Sequence, residues 1–262
     1  MPPKEALYGE LAEYYNRIYH WKDYRKEAQK IKKLVREHKR SPGNRLLDVA
    51  CGTGRHIAFL RKDFECVGLD ASEELLKVAR RDVPGPEFHR GDMTDFSLGR
   101  RFDVVLCLFS STGYIRTKNE IRRATLNFAK HMAEGGVLII EPWFRKSEWR
   151  EKTVHLQTYD AESLKIARAS FATSDGAFSV ADEWYLIGKE GIGLRLVKDH
   201  HRMRFFEPEL WLGALRAAGL DPRFTKDGLM RGRGLIIATR PAERGAPEGA
   251  MSPTHNNRPT TT

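Results

Sequence analysis

The sequence predicts an α/β fold: an open, doubly wound, mostly parallel sheet carrying an antiparallel β insertion. Three observations predict it. Leu46-Leu47-Asp48-Val49-Ala50-Cys51-Gly52-Thr53-Gly54 reads as a buried strand running into a glycine turn, with a helical pattern behind it. Cys66–Asp70 and Phe102–Phe109 are further apolar runs, each followed by a helical pattern; the second is apolar on both faces, as a central parallel strand is. Residues 145–205 then drop that rhythm and alternate with period two, as an antiparallel meander does.

Residues 1–7 read as loosely ordered. Tyr8, Tyr14, Tyr15 and Tyr19 cluster ahead of Trp21; aromatics this dense on a short helix are either core or a lid over a ligand. A second helix has Tyr24, Ala28, Ile31, Leu34, Val35 and His38 at helical spacing and ends at Ser41-Pro42-Gly43. In the glycine turn, Gly52 and Gly54 lack a Cβ, so the backbone turns tightly and approaches a ligand closely. Ile57, Phe59 and Leu60 continue as a helix whose free N–H groups face that turn. Asp70 ends the next strand; an acid roughly 20 residues beyond the glycines takes ribose hydroxyls in nucleotide-binding βαβ units.

Ser72 reads as an N-cap, with Glu73 and Glu74 in the first turn and Leu75, Leu76, Val78 and Ala79 on the apolar face. Pro84-Gly85-Pro86 breaks that helix. Glu87–Arg90 is a short strand leading to Gly91-Asp92-Met93. Ser110-Ser111-Thr112-Gly113-Tyr114 follows the central strand, at the end where ligands bind in open α/β sheets. A helix with Ile121, Ala124, Leu126, Phe128 and Met132 precedes Glu134-Gly135-Gly136 and the strand Val137–Ile140, which runs into Glu141-Pro142-Trp143-Phe144.

In the insertion, alternation marks strands over Ser163–Phe171, Ala181–Ile187 and Leu194–Phe205. Glu207-Pro208-Glu209 opens a helix stopped by Gly219. Phe224 and Leu235–Thr239 are closing strands around Arg231-Gly232-Arg233-Gly234. The division expected is therefore N-terminal helices and lid (1–43), a ligand-binding sheet domain (44–144 and 205–240), the insertion (145–204) and a disordered tail (241–262).

Among 262 residues, 40% are hydrophobic, enough for a sizeable core. No apolar run approaches the ~18 residues of a membrane span, and no signal peptide is evident, so a cytoplasmic protein without a membrane partner is expected. Cys51, Cys66 and Cys107 have no CxxC spacing, which supports neither a disulfide framework nor a metal site. The net charge of +10 fits a nucleic-acid partner, an anionic small substrate or simply a charge-rich surface.

The glycine turn is neither a Gly-x-Gly-x-x-Gly loop nor a triphosphate P-loop. With Asp70 and Asp92-Met93, Asp48–Gly54 resembles motif I of class I S-adenosylmethionine (SAM) methyltransferases, over roughly residues 44–141. The resemblance implies a Rossmann-like class I methyltransferase sheet, with the insertion covering the substrate site, and SAM as cofactor. The implied cofactor residues are Tyr19, Asp48, Ala50, Gly52, Gly54, Asp70, Ala71, Asp92, Met93 and Leu108, with Asp70 on the ribose and Asp92-Met93 on the adenine.

Tyr15–Tyr19, Gly91–Phe96, Phe109-Ser110-Ser111, Glu141-Pro142-Trp143 and Gly232–Leu235 extend the similarity to N,N-dimethyltransferases of nucleotide-linked amino sugars, over about residues 11–240. That resemblance implies a small-molecule acceptor, a sugar amine on thymidine diphosphate. One position departs: where the family has a histidine after the Ser-Ser-x-Gly loop, this chain has Tyr114. Tyr114 is the candidate to orient the nucleophile and Tyr19 to close over cofactor and substrate; packing is the alternative for each. Glu141 and Trp143 are candidate acceptor contacts, and Arg168, Arg231 and Arg233 candidate phosphate clamps. An RNA or protein methyltransferase remains the competing reading, against which Leu108-Phe109-Ser110-Ser111 stands in place of the Asn/Asp-Pro-Pro-aromatic motif of base-amino enzymes. A non-catalytic SAM-binding protein is a third. A homodimer fits the paired edges and basic surface, but nothing in the sequence specifies one.

Overall fold

In the computed structural model, residues 5–242 are described; the expected disordered tail from 243 onward lies outside them. In chain order the helices and strands are α1 (Tyr15–Ile18), α2 (Tyr24–His38), β1 (Arg45–Val49), α3 (Arg55–Leu60), β2 (Glu65–Asp70), α4 (Glu73–Asp82), β3 (Glu87–Arg90), β4 (Phe102–Cys107), α5 (Lys118–Lys130) and β5 (Met132–Ile140). The insertion supplies β6 (Thr153–Asp160), β7 (Leu164–Asp175), β8 (Phe178–Lys189) and β9 (Gly193–Arg204), before α6 (Pro208–Ala217), β10 (Asp221–Thr225) and β11 (Leu235–Thr239).

The first sheet has the order β10-β11-β5-β4-β1-β2-β3, with β11 antiparallel to both neighbours and the other pairs parallel. The order reverses at β1, which lies between β2 and β4 with Leu47 opposite both Val67 and Val105. Such a switch point opens a crevice at the carboxyl ends of the strands. Alternate residues serve opposite faces, and both faces are buried. Leu47, Val105 and Leu138 pack with Ile121 and Phe128 of α5 and Leu215 of α6. Leu46, Val104 and Ile139 pack with Ile31 of α2, Ile57 of α3 and Leu76 of α4. Each such side chain contributes about 1.5–3 kcal/mol by leaving water. Ser72 caps α4 through its Oγ, which accepts from Leu75 N, and Thr117 with Glu120 forms a capping box on α5.

The second sheet, β6-β7-β8-β9, is wholly antiparallel. Its inner face joins the N-terminal segment through Leu7, Leu11, Tyr15, Ile166, Tyr185 and Val197.

Four local expectations change. Residues 5–7 are not loose: Ala6–Tyr8 is a 3-10 turn, Leu7 is buried, and Asp199 of β9 accepts from Ala6 N and Leu7 N at 2.9 and 2.8 Å. The aromatic segment is a 3-10 turn (Ala12–Tyr14) followed by the short α1 rather than one helix. Met132 begins β5 instead of ending α5; Gly135, at φ 71°, lets that strand shift register against β4. The meander has a fourth strand, β6, which the sequence hides. β6 lies at the sheet edge with its apolar Val154 and Leu156 exposed, so no buried stripe marked it.

Candidate active site

A cavity of about 1180 Å³ opens at the carboxyl ends of β1, β2 and β4 and is walled on its other side by β6–β9. Single-ligand pockets typically measure about 300–1,000 Å³, so this one has room for a cofactor and a second molecule.

The glycine turn forms one wall. Gly52 has φ 56°, its N–H donates to Asp70 Oδ2 at 2.8 Å, and a Cβ there would meet open space. The backbone is thus bared to the cavity. Gly54, at φ 72°, does not line the cavity. It starts α3, and a Cβ would come within 3.1 Å of the Phe88 ring, so its smallness serves packing. Ala50 adopts φ 58° without being glycine, a strained placement of the kind found at functional sites.

The carboxylates behind this turn differ in their partners. Asp70 Oδ1 accepts from Ser72 N at 2.8 Å; burial pushes its pKa up, against the pull of its backbone hydrogen bonds. Asp48 is buried, its Oδ2 has no hydrogen-bond partner, and burial raises its pKa to about 7. Asp92 accepts from the N–H and hydroxyl of Thr94 at 2.8 and 2.7 Å. Ala50, Ala71, Met93 and Leu108 complete this wall with Asp48, Asp70 and Asp92.

Aromatic side chains close the other end. Tyr8, Tyr15, Tyr19 and Tyr24 line the cavity. The Tyr19 ring lies 4.8 Å from that of Tyr15 and 5.0 Å from that of Phe109, and its hydroxyl accepts from Arg168 Nη1 at 3.2 Å. Arg168 also donates to Gln157 and lies 3.7 Å from Glu183, so it already has a carboxylate beside it.

Phe109 and Ser110 after β4 have φ of 52° and 66°, which costs L-residues of order 1–3 kcal/mol each. Glu141 holds them there. Its Oε2 accepts from Phe109 N and its Oε1 from Met230 N, both at 2.9 Å, and it is fully buried. The expected contact of Glu141 with the acceptor is therefore corrected. Both oxygens brace the loop and the 226–234 segment, and the residue does not line the cavity.

Trp143 lines the cavity, its Nε1 donating to Ser179 Oγ at 2.7 Å. Over it stands the guanidinium of Arg233, 4.9 Å from the Trp143 ring, 5.1 Å from Phe144 and 5.4 Å from Phe109. Arg233 Nε and Nη1 are buried without a hydrogen-bond partner, and burial lowers its pKa. Arg231, expected as a second clamp, is exposed and outside the cavity, because Gly232 (φ 82°) turns the chain between the two arginines.

Sequence reasoning missed the polar group around Tyr114. Its hydroxyl lies 2.7 Å from Tyr8 Oη and 2.7 Å from His201 Nδ1. The available signal was the period of β9, which puts His201 on the face shared with Asp199 and Met203; its partners come from distant parts of the chain.

A switch-point cavity bared to the Gly52 backbone, with an acid ending β2 and room for a second molecule, defines a class I SAM-dependent methyltransferase. The family model described as "Methyltransferase domain" matches residues 46–136. The dTDP-3-amino-3,6-dideoxy-alpha-D-glucopyranose N,N-dimethyltransferase of Streptomyces fradiae is 37% identical over 89% of this chain and 92% of its own. The dTDP-3-amino-3,4,6-trideoxy-alpha-D-glucopyranose N,N-dimethyltransferase of Streptomyces venezuelae is 37% identical over 82% and 91%. Among solved structures, DesVI of Streptomyces venezuelae superposes with a TM-score of 0.82 at 35% identity, covering 88% of this chain and 98% of that one. The chain belongs to the family of dTDP-amino-sugar N,N-dimethyltransferases.

The cofactor is SAM, and the wall around the glycine turn fits it. Gly52 leaves space where a side chain would intrude, and Asp48 offers a buried acceptor with no partner of its own.

Proposed function

We propose that this methyltransferase acts on the amine of a sugar carried by a nucleoside diphosphate. The observation that carries the reading is Arg233: a buried guanidinium in the cavity wall, enclosed by three aromatic rings, with two nitrogens lacking a partner. Burying such a group is costly unless an anion completes it. A diphosphate accepts from a guanidinium fork bidentately, and the rings of Trp143 and Phe109 offer flat faces to a base or sugar. Arg168 is a weaker second clamp, because its guanidinium already donates to Tyr19 Oη and Gln157 and lies beside Glu183. The curated relatives bear the names of enzymes acting on dTDP-amino sugars, which supports the same reading.

On the cofactor side, Asp70 is assigned to the ribose hydroxyls, Asp92 and Met93 to the adenine, and Asp48 to the amino group of the methionine end. Bound SAM supplies a methyl made electrophilic by its sulfonium. The chain's own part is to hold an unprotonated amine in line with that methyl; positioning of this kind supplies roughly 7–11 kcal/mol. Tyr19, which touches Tyr15, Phe109 and Arg168, is assigned to close over both ligands, and Tyr114, which lines the cavity, to orient the amine.

The test is mass spectrometry of a dTDP-linked 3-amino sugar incubated with the protein and SAM. Stepwise addition of methyl groups to the sugar nitrogen is expected. An unchanged sugar, with methyl instead entering RNA under low salt, would overturn the reading in favour of a nucleic-acid acceptor.

A further inference from the structure

Tyr114 does not end at its own hydroxyl. Behind it stands His201 of β9, buried at 6% exposure, with Nδ1 2.7 Å from Tyr114 Oη. The other ring nitrogen, Nε2, faces two carboxylates, Asp199 Oδ2 on its own strand at 3.2 Å and Glu183 Oε2 on neighbouring β8 at 3.6 Å, within ion-pair distance of both but hydrogen-bonded to neither. Asp199 is fixed by the N–H groups of Ala6 and Leu7, and Glu183 accepts from the Tyr185 hydroxyl and lies 3.7 Å from Arg168. Tyr8 meets Tyr114 from the N-terminal turn, and Glu5 adds negative charge from the same side. Tyr8, Glu5, Tyr114, Glu183 and His201 all line the cavity, away from the glycine turn.

Two carboxylates on one imidazole nitrogen are more than a packing role requires. They favour the doubly protonated ring. Burial alone would drive the histidine pKa down, yet the acids around it raise it above its ordinary value. Burial pushes the Tyr114 hydroxyl pKa up, so it stays a neutral relay and does not store charge as phenolate.

Resting on the amine-acceptor reading above, we propose that His201 is the proton acceptor of the reaction, working through Tyr114. A sugar amine arrives largely as ammonium, and its nitrogen has no lone pair until a proton leaves. In the step assigned here, an ammonium N–H bond breaks as its proton passes to Tyr114 Oη. The hydroxyl proton of Tyr114 passes at the same time to His201 Nδ1. One N–H and one O–H bond break, one O–H and one N–H bond form, and the freed electron pair stays on the amine nitrogen. The imidazolium then points its Nε2–H at Asp199 and Glu183. The methylated product is again an ammonium, so each further methylation needs the relay once more, and the ring returns its proton to water when product leaves the cavity. His201 is a positioning residue that works through another; Tyr114 touches the substrate.

The test is the pH dependence of turnover on a dTDP-linked 3-amino sugar for the wild-type enzyme, His201→Asn, Tyr114→Phe and the double variant. The relay needs neutral His201, so wild-type kcat/KM falls as pH drops through the raised histidine pKa. Each single variant is expected to lose about 100-fold near pH 7, the low end for a positioned acid–base group. That deficit should shrink to a few-fold near pH 9.5, where the amine is already free in solution. The double variant should be no slower than the slower single one, because the two groups act in series, and calorimetric SAM affinity should be unchanged throughout. A deficit equal at every pH, or additive losses, would overturn the relay and leave packing. Should His201→Asn fail to fold, Tyr114→Phe alone carries the same pH test. A wild-type enzyme that leaves the amino sugar unmethylated would sink the amine reading itself, before any variant is compared.

Discussion

The two walls of the cavity are built in different ways. The cofactor wall is mostly backbone and short side chains, drawn from residues 48–108 and placed by strand ends and one glycine turn. The acceptor wall is long side chains, brought from the N-terminal turn, the loop after β4, four insertion strands and the segment before β11. Two of the three carboxylates of the first wall are tied within a few residues, Asp70 to Ser72 and Asp92 to Thr94. The second is held by contacts across great sequence distances, such as Ala6 to Asp199 and Tyr114 to His201. A wall made of backbone suits a ligand that never changes. A wall made of side chains can be re-specified one residue at a time.

The largest expected effect breaks the acceptor wall at its brace. Glu141→Ala removes the buried side chain that accepts from two half-buried N–H groups, Phe109 and Met230. A loss of about 3 kcal/mol is expected, roughly 8 °C in Tm by calorimetry. If Tm is unchanged, the strained loop holds itself and the clamp is incidental. On the cofactor wall, Asp70→Ala should weaken SAM at least tenfold, about 1.4 kcal/mol, and leave nucleotide-sugar affinity alone. Unchanged SAM affinity would remove the ribose assignment.

A smaller effect concerns Asp48. Its pKa of about 7 lies far above the ordinary carboxylate value because of burial, so below pH 7 the residue is mostly neutral and above it charged. If the charged form holds the cofactor's amino group, SAM affinity rises with pH, about fourfold from pH 6.5 to pH 8, and Asp48→Asn flattens that rise. A wild-type affinity independent of pH across this range would assign Asp48 to structure alone.

The same division decides what the sequence could reveal. The strand–turn–helix of Arg45–Leu60, the acid ending β2 and the alternating insertion all follow from local pattern, and the cofactor wall comes with them. Glu141 was misjudged because the end of a central strand is where acceptor contacts sit, and nothing local shows that Phe109 and Met230 N–H groups arrive first. Arg231 and Arg233 look alike in sequence; only the turn at Gly232 puts one inside and one out. β6 escaped notice because its Val154 and Leu156 are exposed and leave no buried stripe. His201 escaped because its partners lie on other elements.

Calorimetric binding of thymidine diphosphate to the wild-type enzyme and to Arg233→Ala, with S-adenosylhomocysteine present in both, tests the division most directly. The expected result is a loss of at least about 30-fold in nucleotide affinity, about 2 kcal/mol, with S-adenosylhomocysteine binding the same in both proteins. Equal nucleotide affinity would contradict the account, because the cation assigned as the main phosphate clamp would then hold no phosphate.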